Sequence, residues 1–160
     1  MNKTSIPRFT SSVMFVQNIE ISKKFYHTLL GQKIEMDSGA YIGFAGGFGL
    51  WEGRYALETI FERKRVSMSY GLQNCELYFE SEELETLIDA LHNAAVEFIH
   101  DIREHPWGQR AFRIFDPDGH IVEFGEPMSA VVKRYRKAGK TNEDIQKLTT
   151  MPMEFIQSVH

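Results

Sequence analysis

Between Phe112 and Phe124 the chain reads FRIFDPDGHIVEF, and a glutamate, Glu123, sits inside the apolar run that closes it. A carboxylate so placed has two readings. It is an ordinary acid on a solvated strand face, or its face lines a cleft in which the carboxylate acts on a ligand. Arg113 alternates with Phe112 and Ile114, which makes it a candidate to hold a carboxylate or phosphate, or to pair with Glu76 or Glu123. His105, whose ring titrates near neutral pH, is a candidate general acid or base, with plain exposure in a loop as the alternative. Two carboxylates facing each other in a partly dry site repel, and at least one pKa rises unless a cation lies between them. Arg113 is the cation that the chain itself offers.

These groups depend on a hairpin. Asp116-Pro117-Asp118-Gly119 is a turn signal, because proline presets φ and glycine takes the φ > 0 position. After it, alternation puts Val122 and Phe124 on one strand face and Ile121, Glu123 and Gly125 on the other. In the run 75–79, Cys75, Leu77 and Phe79 share an apolar face, which predicts a buried and inert Cys75. Glu76 and Tyr78 take the opposite face. Residues 83–95 carry a helical stripe of Leu84, Leu87, Ile88 and Leu91, and 96–99 read as a strand. The same order occurs earlier in the chain. A strand at 12–16 precedes a helix at 21–30, with Ile21, Phe25 and Leu29 on one stripe and Gly31 as its C-cap. Strands at 32–37, 40–44 and 48–51 follow, the last two joined through Gly46-Gly47. Each block is βαβββ, so the chain reads as an internal duplication. Residues 53–74 read as a connector. Its run Glu62-Arg63-Lys64-Arg65 is a solvated face, or alternatively a basic docking patch.

The 160 residues suffice for one domain with an extension, and 42% hydrophobic with 25% charged residues is an ordinary globular balance. A net charge of -4 gives no electrostatic reason to expect nucleic acid as a partner. One cysteine excludes an intrachain disulfide and fits a reducing compartment. No apolar run reaches membrane-spanning length, and MNKTSIPRFT lacks the apolar stretch of a signal peptide. We therefore expect a cytoplasmic protein with no membrane partner.

Paired βαβββ blocks, the second ending in FRIFDPDGHIVEFGE, resemble the vicinal oxygen chelate superfamily. That group includes glyoxalase I, bleomycin-resistance proteins, fosfomycin-resistance enzymes and extradiol dioxygenases. The resemblance covers residues 8–127: module one at 8–52, the connector at 53–74 and module two at 75–127. It implies an α+β fold of the glyoxalase/bleomycin-resistance/dioxygenase type, each module curling its sheet into half of a barrel around a cleft. It also implies metal-ligand positions on the first and last strands of each module. Glu123 matches the family's glutamate ligand, and Glu76 the place where metal-binding members often carry histidine. In module one Ser11 and Gly49 or Trp51 stand at those positions, and Glu52 alternates away from them. Two carboxylates without further ligands suit at most a weakly held divalent ion such as Mg²⁺ or Mn²⁺, and no cofactor is certain. Phe15, Trp51, Tyr78 and Trp107 would form aromatic walls for a small-molecule ligand, with Arg113 supplying polarity. Trp107 alternatively covers the barrel end. His27 and His92, on the module helices, read as surface residues, and His120 as solvated.

Residues 128–160 lie outside the resemblance and read as a helical tail. A basic helix, Lys133-Arg134-Tyr135-Arg136-Lys137, stops at Gly139, Thr141 and Asp144 suit a capping box, and Pro152 can start a third helix. Ile145, Leu148, Met153, Ile156 and Val159 form an apolar seam for packing on the main domain or on a second copy. The expected function is a small-molecule-binding protein of the glyoxalase/bleomycin-resistance kind, expected as a homodimer, without a complete metal site. The alternatives are a metal-dependent lyase or isomerase of the glyoxalase I (lactoylglutathione lyase) type, and a ligand-sensing regulator that uses the tail.

Overall fold

The computed structural model describes residues 7–61 and 67–160. The run Glu62-Arg63-Lys64-Arg65 thus lies outside the described residues. The chain divides into two compact units, Met1–Leu72 and Gln73–His160.

The first unit opens with β1 (Ser12–Val16) and α1 (Ile19–Lys23), which Asn18 caps by accepting from the amides of Glu20 and Ile21. The helix then widens into a π-helical segment, Lys24–Leu29. There the Leu30 amide reaches back five residues to the Phe25 carbonyl. This changes which face is buried. The expected stripe of Ile21, Phe25 and Leu29 does not form, since Ile21 is 52% exposed and Leu29 is exposed too. The wider turn rotates the later side chains, and Phe25 and Tyr26 go inward together, on the side that Ser22 buries in the turn before. Tyr26 then packs on the stacked rings of Phe44 and Phe48. Strands β2 (Ile34–Asp37), β3 (Tyr41–Phe44) and β4 (Phe48–Glu52) complete a sheet of order β1-β4-β3-β2, with β1 parallel to β4. The supposed connector begins with a helix, α2 (Gly53–Ile60), because the Glu52 carboxylate caps it on the amides of Arg54 and Tyr55.

The second unit repeats this plan with β5 (Glu76–Glu80), α3 (Leu84–Asn93), β6 (Phe98–Glu104), β7 (Arg110–Phe115) and β8 (Ile121–Gly125), in the order β5-β8-β7-β6. Leu84, Ile88 and Leu91 of α3 are buried, as are Phe112, Ile114, Val122 and Phe124 of the sheet. His92 is exposed as expected, and its ring stacks on Phe98 at 4.0 Å. The turn is as expected: Gly119 has φ +81°. Asp116, itself buried, accepts from the amides of Asp118 and His120 and meets the His120 ring at 2.9 Å. His120 is therefore a partly buried partner of Asp116 and not a solvated side chain, and this bond pulls its pKa up.

Two further expectations fail on strand boundaries. β6 starts at Phe98 and runs on to Glu104, past the strand expected at 96–99, so the loop of His105-Pro106-Trp107-Gly108 is only a short turn. β5 starts at Glu76, so Cys75 precedes the strand and is exposed. Native protein should therefore react with a maleimide or aromatic disulfide as fast as a peptide thiol. Labelling only after unfolding would contradict this placement.

The tail forms α4 (Met128–Lys137), α5 (Asn142–Thr149) and α6 (Met153–Ser158), with the Thr141–Asp144 capping box in place. Val131, Val132, Tyr135, Ile145, Ile156 and Val159 make one buried cluster. Leu148, placed in the seam on sequence grounds, is exposed instead. Arg134 and Arg136 of the basic run turn inward: Arg136 reaches Asn142 and the carbonyls of Ile156 and Val159. Among the described residues no helix is long and apolar enough to cross a membrane.

Candidate functional site

The polar site lies on the sheet of the second unit, on the face opposite Val122 and Phe124. Tyr78 pairs with Glu123, and Arg113 with Glu123, across neighbouring strands. Glu123 is 5% exposed. It is thus no surface acid. Arg113 lies between the two carboxylates foreseen as a pair: its Nε donates to Glu76 Oε2 at 3.0 Å and its Nη2 to Glu123 Oε2. Its Nη1 meets His100 Nε2 at 3.3 Å, while His100 Nδ1 lies 2.8 Å from the Asp101 carbonyl, which fits an imidazole protonated at Nδ1. Burial raises the Glu123 pKa; the Arg113 charge offsets part of that rise, and Glu76 adds to it.

His105 and Trp107 stack at 4.4 Å in the turn between β6 and β7. Burial lowers the His105 pKa, with Arg113 and His100 adding to the effect against the pull of Glu76. Its Nε2 is buried and meets no hydrogen-bond partner among the described residues. Gln109, buried and without any sequence signal, ties the aromatic groups together. Its Oε1 accepts from Trp107 Nε1 at 3.0 Å, and its Nε2 donates to Tyr78 Oη at 2.8 Å. Tyr78 also donates to Glu80, and burial and that neighbouring carboxylate push its hydroxyl up to about 12. The Tyr78 ring and the Gln109 amide fit because residue 125 is glycine: a Cβ there would lie 2.9 Å from both.

The first unit carries the same positions with different chemistry. Gly43 pairs with Gly49 where the second unit pairs Arg113 with Glu123. The Tyr41 ring lies across these glycines, and a Cβ on Gly49 would come within 2.8 Å of its hydroxyl. Beside it opens a cavity of about 710 Å³ lined by Val13, Met36, Ser38, Ala40, Tyr41, Trp51 and Tyr55. Among the described residues no charged side chain lines it. Trp51 lines it, and Phe15 meets the Trp51 ring edge-on at 6.1 Å. Tyr41 and Tyr55 were missed. The capping role of Glu52, which makes the helix that carries Tyr55, is the signal that could have found the latter. The aromatic candidates thus fall into two groups, Phe15 and Trp51 in the first unit, Tyr78 and Trp107 in the second.

The metal that the family resemblance implies is a poor match to these donors. The facing carboxylate oxygens of Glu76 and Glu123 already hold a guanidinium. Among the described residues no group of three or more His, Cys, Asp or Glu side chains is arranged to hold an ion.

Residues 9–129 match the family of glyoxalase-like domains. Among solved structures, the chain is 40% identical to a protein of unknown function from Agrobacterium tumefaciens str. C58, with a TM-score of 0.71 over 78% of this chain and 98% of that one. It shares its fold with a glyoxalase/bleomycin resistance protein/dioxygenase from Nocardioides, at 20% identity and a TM-score of 0.62 over 78% and 86% of the two chains. A lactoylglutathione lyase from Agrobacterium tumefaciens is similar in fold at 16% identity and a TM-score of 0.59, over 78% and 96%. No curated protein matches significantly. With two sheets of one strand order, a turn and glutamate strand as the resemblance requires, and this family match over most of its length, the chain belongs to the glyoxalase-like domain family of the vicinal oxygen chelate superfamily.

Proposed function

We propose that this protein binds a small organic molecule with an uncharged, flat apolar part, and that Arg113 takes the place a metal ion holds in other members. The observation that carries this reading is the cavity of about 710 Å³ in the first unit, a volume in the range of small-molecule sites and walled by aromatic rings. Phe15 and Trp51 serve this apolar part. Tyr78, Trp107 and Arg113, with Glu76 and Glu123, offer a separate polar face for hydrogen bonding. No step is assigned to a metal. Titration calorimetry with 1-naphthol as an uncharged aromatic probe tests the reading. Saturable binding is expected, weakened about tenfold by Trp51→Ala through loss of ring contact. No saturable heat, or equal affinity in the variant, would overturn it.

A glyoxalase-type lyase is the second reading, favoured by one observation. Burial raises the pKa of Glu123, which brings its carboxyl toward the range useful for proton transfer, and lowers that of His105, which favours the neutral ring able to accept a proton. Turnover of the methylglyoxal–glutathione adduct by the wild type, lost in Glu123→Gln, would establish it. Absence of turnover in the wild type would remove it.

A further inference from the structure

We propose that the C-terminal helix α4, which lies almost wholly beyond the family match, is a positioning element of the polar face: Arg134 and Tyr135 set the His105–Gly108 turn and, through Gln109, the side chains of Trp107 and Tyr78. Two adjacent residues of α4 grip both ends of the turn. Tyr135 Oη donates to Glu104 Oε1 at 2.9 Å, on the strand end before the turn. Its ring covers Gly108 so closely that a Cβ there would lie 2.8 Å from two ring carbons, and Gly108 holds φ +82°. Arg134 donates to the Gly108 carbonyl, to Glu104 Oε2 at 3.3 Å and to Glu126 Oε1 at 2.7 Å. The turn itself is closed by the His105 amide on the Gln109 carbonyl and the Gly108 amide on the His105 carbonyl, each at 2.8 Å.

From the turn the coupling runs to the site in two steps. The Gln109 amide donates to the Glu126 carbonyl at 2.8 Å as well as to Tyr78, and accepts from Trp107. Glu126 is the residue that Arg134 holds. A shift of α4 therefore moves the anchor of Gln109 and the backbone of Gly108 together. Both Trp107 and Tyr78 depend on that one amide, and Tyr78 stands beside Glu123 on the neighbouring strand. The helix can act in this way because it is backed. Val131, Val132 and Tyr135 belong to the buried cluster with Ile145, Ile156 and Val159, and Arg136 clips α6 to the helix.

The His105 ring reports the position of the turn without any ligand. The charged and titratable groups that act on it are Arg113 on β7, His100 on β6 and Glu76 on β5. Its titration is followed by NMR on histidine-labelled protein, assigned with His105→Gln. Arg134→Met removes the grip with the aliphatic stem kept, and Tyr135→Leu removes it with no change of charge. Both should admit water to the turn and move the His105 pKa upward by roughly half a unit or more. Tyr135→Phe keeps the ring on Gly108, folds in any case where the others do not, and should give a smaller shift in the same direction. Ile156→Ala loosens the far side of the tail and should lower the melting temperature while leaving His105 in place. An unchanged His105 titration in the Arg134 and Tyr135 variants would reduce the tail to a stabilising appendage and overturn the proposal. So would a shift in Ile156→Ala as large as that in Arg134→Met.

Discussion

Arg113→Ala should lower the melting temperature by about 5–10 °C at neutral pH, the equivalent of about 2–3 kcal/mol for a chain of this size. The physical cause is a buried carboxylate deprived of its partner. Glu123 is almost fully enclosed and receives the Arg113 guanidinium, and Glu76 stands on the other side of the same group. The Glu76 side chain is 40% exposed, so water screens part of the loss, and the estimate stays below that for a fully buried pair. The pH dependence has a definite sign. The folded pKa of Glu123 is already raised by burial. A raised carboxyl binds more protons in the folded than in the unfolded protein, so its cost is present in full above the folded pKa and is relieved as pH falls toward the ordinary carboxylate range. Without Arg113 the pKa rises further. The gap between variant and wild type should therefore narrow on acidification. The removed guanidinium was bounded by Glu76 Oε2, Glu123 Oε2 and His100 Nε2. Millimolar Mn²⁺ should restore part of the lost stability in Arg113→Ala and none in the wild type. Thermal melts across pH, with and without Mn²⁺, read all of this. A variant as stable as the wild type at neutral pH would mean that Arg113 does not serve as the site's cation.

Glu126→Ala should cost more, about 3–5 kcal/mol or roughly 8–15 °C in melting temperature. Glu126 is 2% exposed. Its carboxylate accepts from the Arg110 amide at 3.0 Å, from Arg110 Nε at 3.2 Å and from Arg134 Nη2 at 2.7 Å. Alanine leaves two partly buried guanidinium groups with Glu85 and Glu104, both well exposed, as their remaining carboxylates, and Arg134 with the Gly108 carbonyl besides. Glu126→Gln keeps the shape and one acceptor oxygen, and should lose about half as much. Glu104→Gln, on the exposed arm of the same network, should change stability by less than about 1 kcal/mol. Urea or thermal unfolding of the three variants checks the order. Equal losses at positions 104 and 126 would show that burial is not what makes Glu126 matter.

Much of the frame could be read from the residues because it rests on local chemistry. Asp116-Pro117-Asp118-Gly119 specifies its turn within four residues, and alternation after it puts Glu123 opposite Val122 and Phe124, where the structure has it. The Thr141–Asp144 cap is local in the same way. What escaped reading depends on contacts between distant segments. The π-helical widening at Lys24–Leu29 serves the fit of Tyr26 on Phe44 and Phe48, and no helical period announces it. Cys75 falls outside its strand because β5 pairs with β8 only from Glu76 onward. Gln109 has no periodic or motif value; its importance comes from Tyr78 and Glu126, 31 and 17 residues away. Gly49 or Trp51 stood at an expected ligand position, and only the Tyr41 ring laid over Gly43 and Gly49 shows what the missing side chains allow.

The strand order has a consequence for synthesis. In each sheet the opening strand lies beside the closing one: Ser12 aligns with Phe48, and Glu76 with Ile121. Neither sheet can close until its last strand has left the ribosome, and closure over such separations is slow compared with hairpin formation. The first unit is complete while the second is still being made. The nascent chain then passes through a stage in which β5 has emerged and β8 has not. At that stage β5 is a strand without its partner, as β1 is before β4 is made. Strand exchange between repeats is the misassembly to which such an order exposes a duplicated chain. The charges that set β5 apart from β1, Glu76 and Glu80 against the uncharged Ser12 to Val16, oppose it.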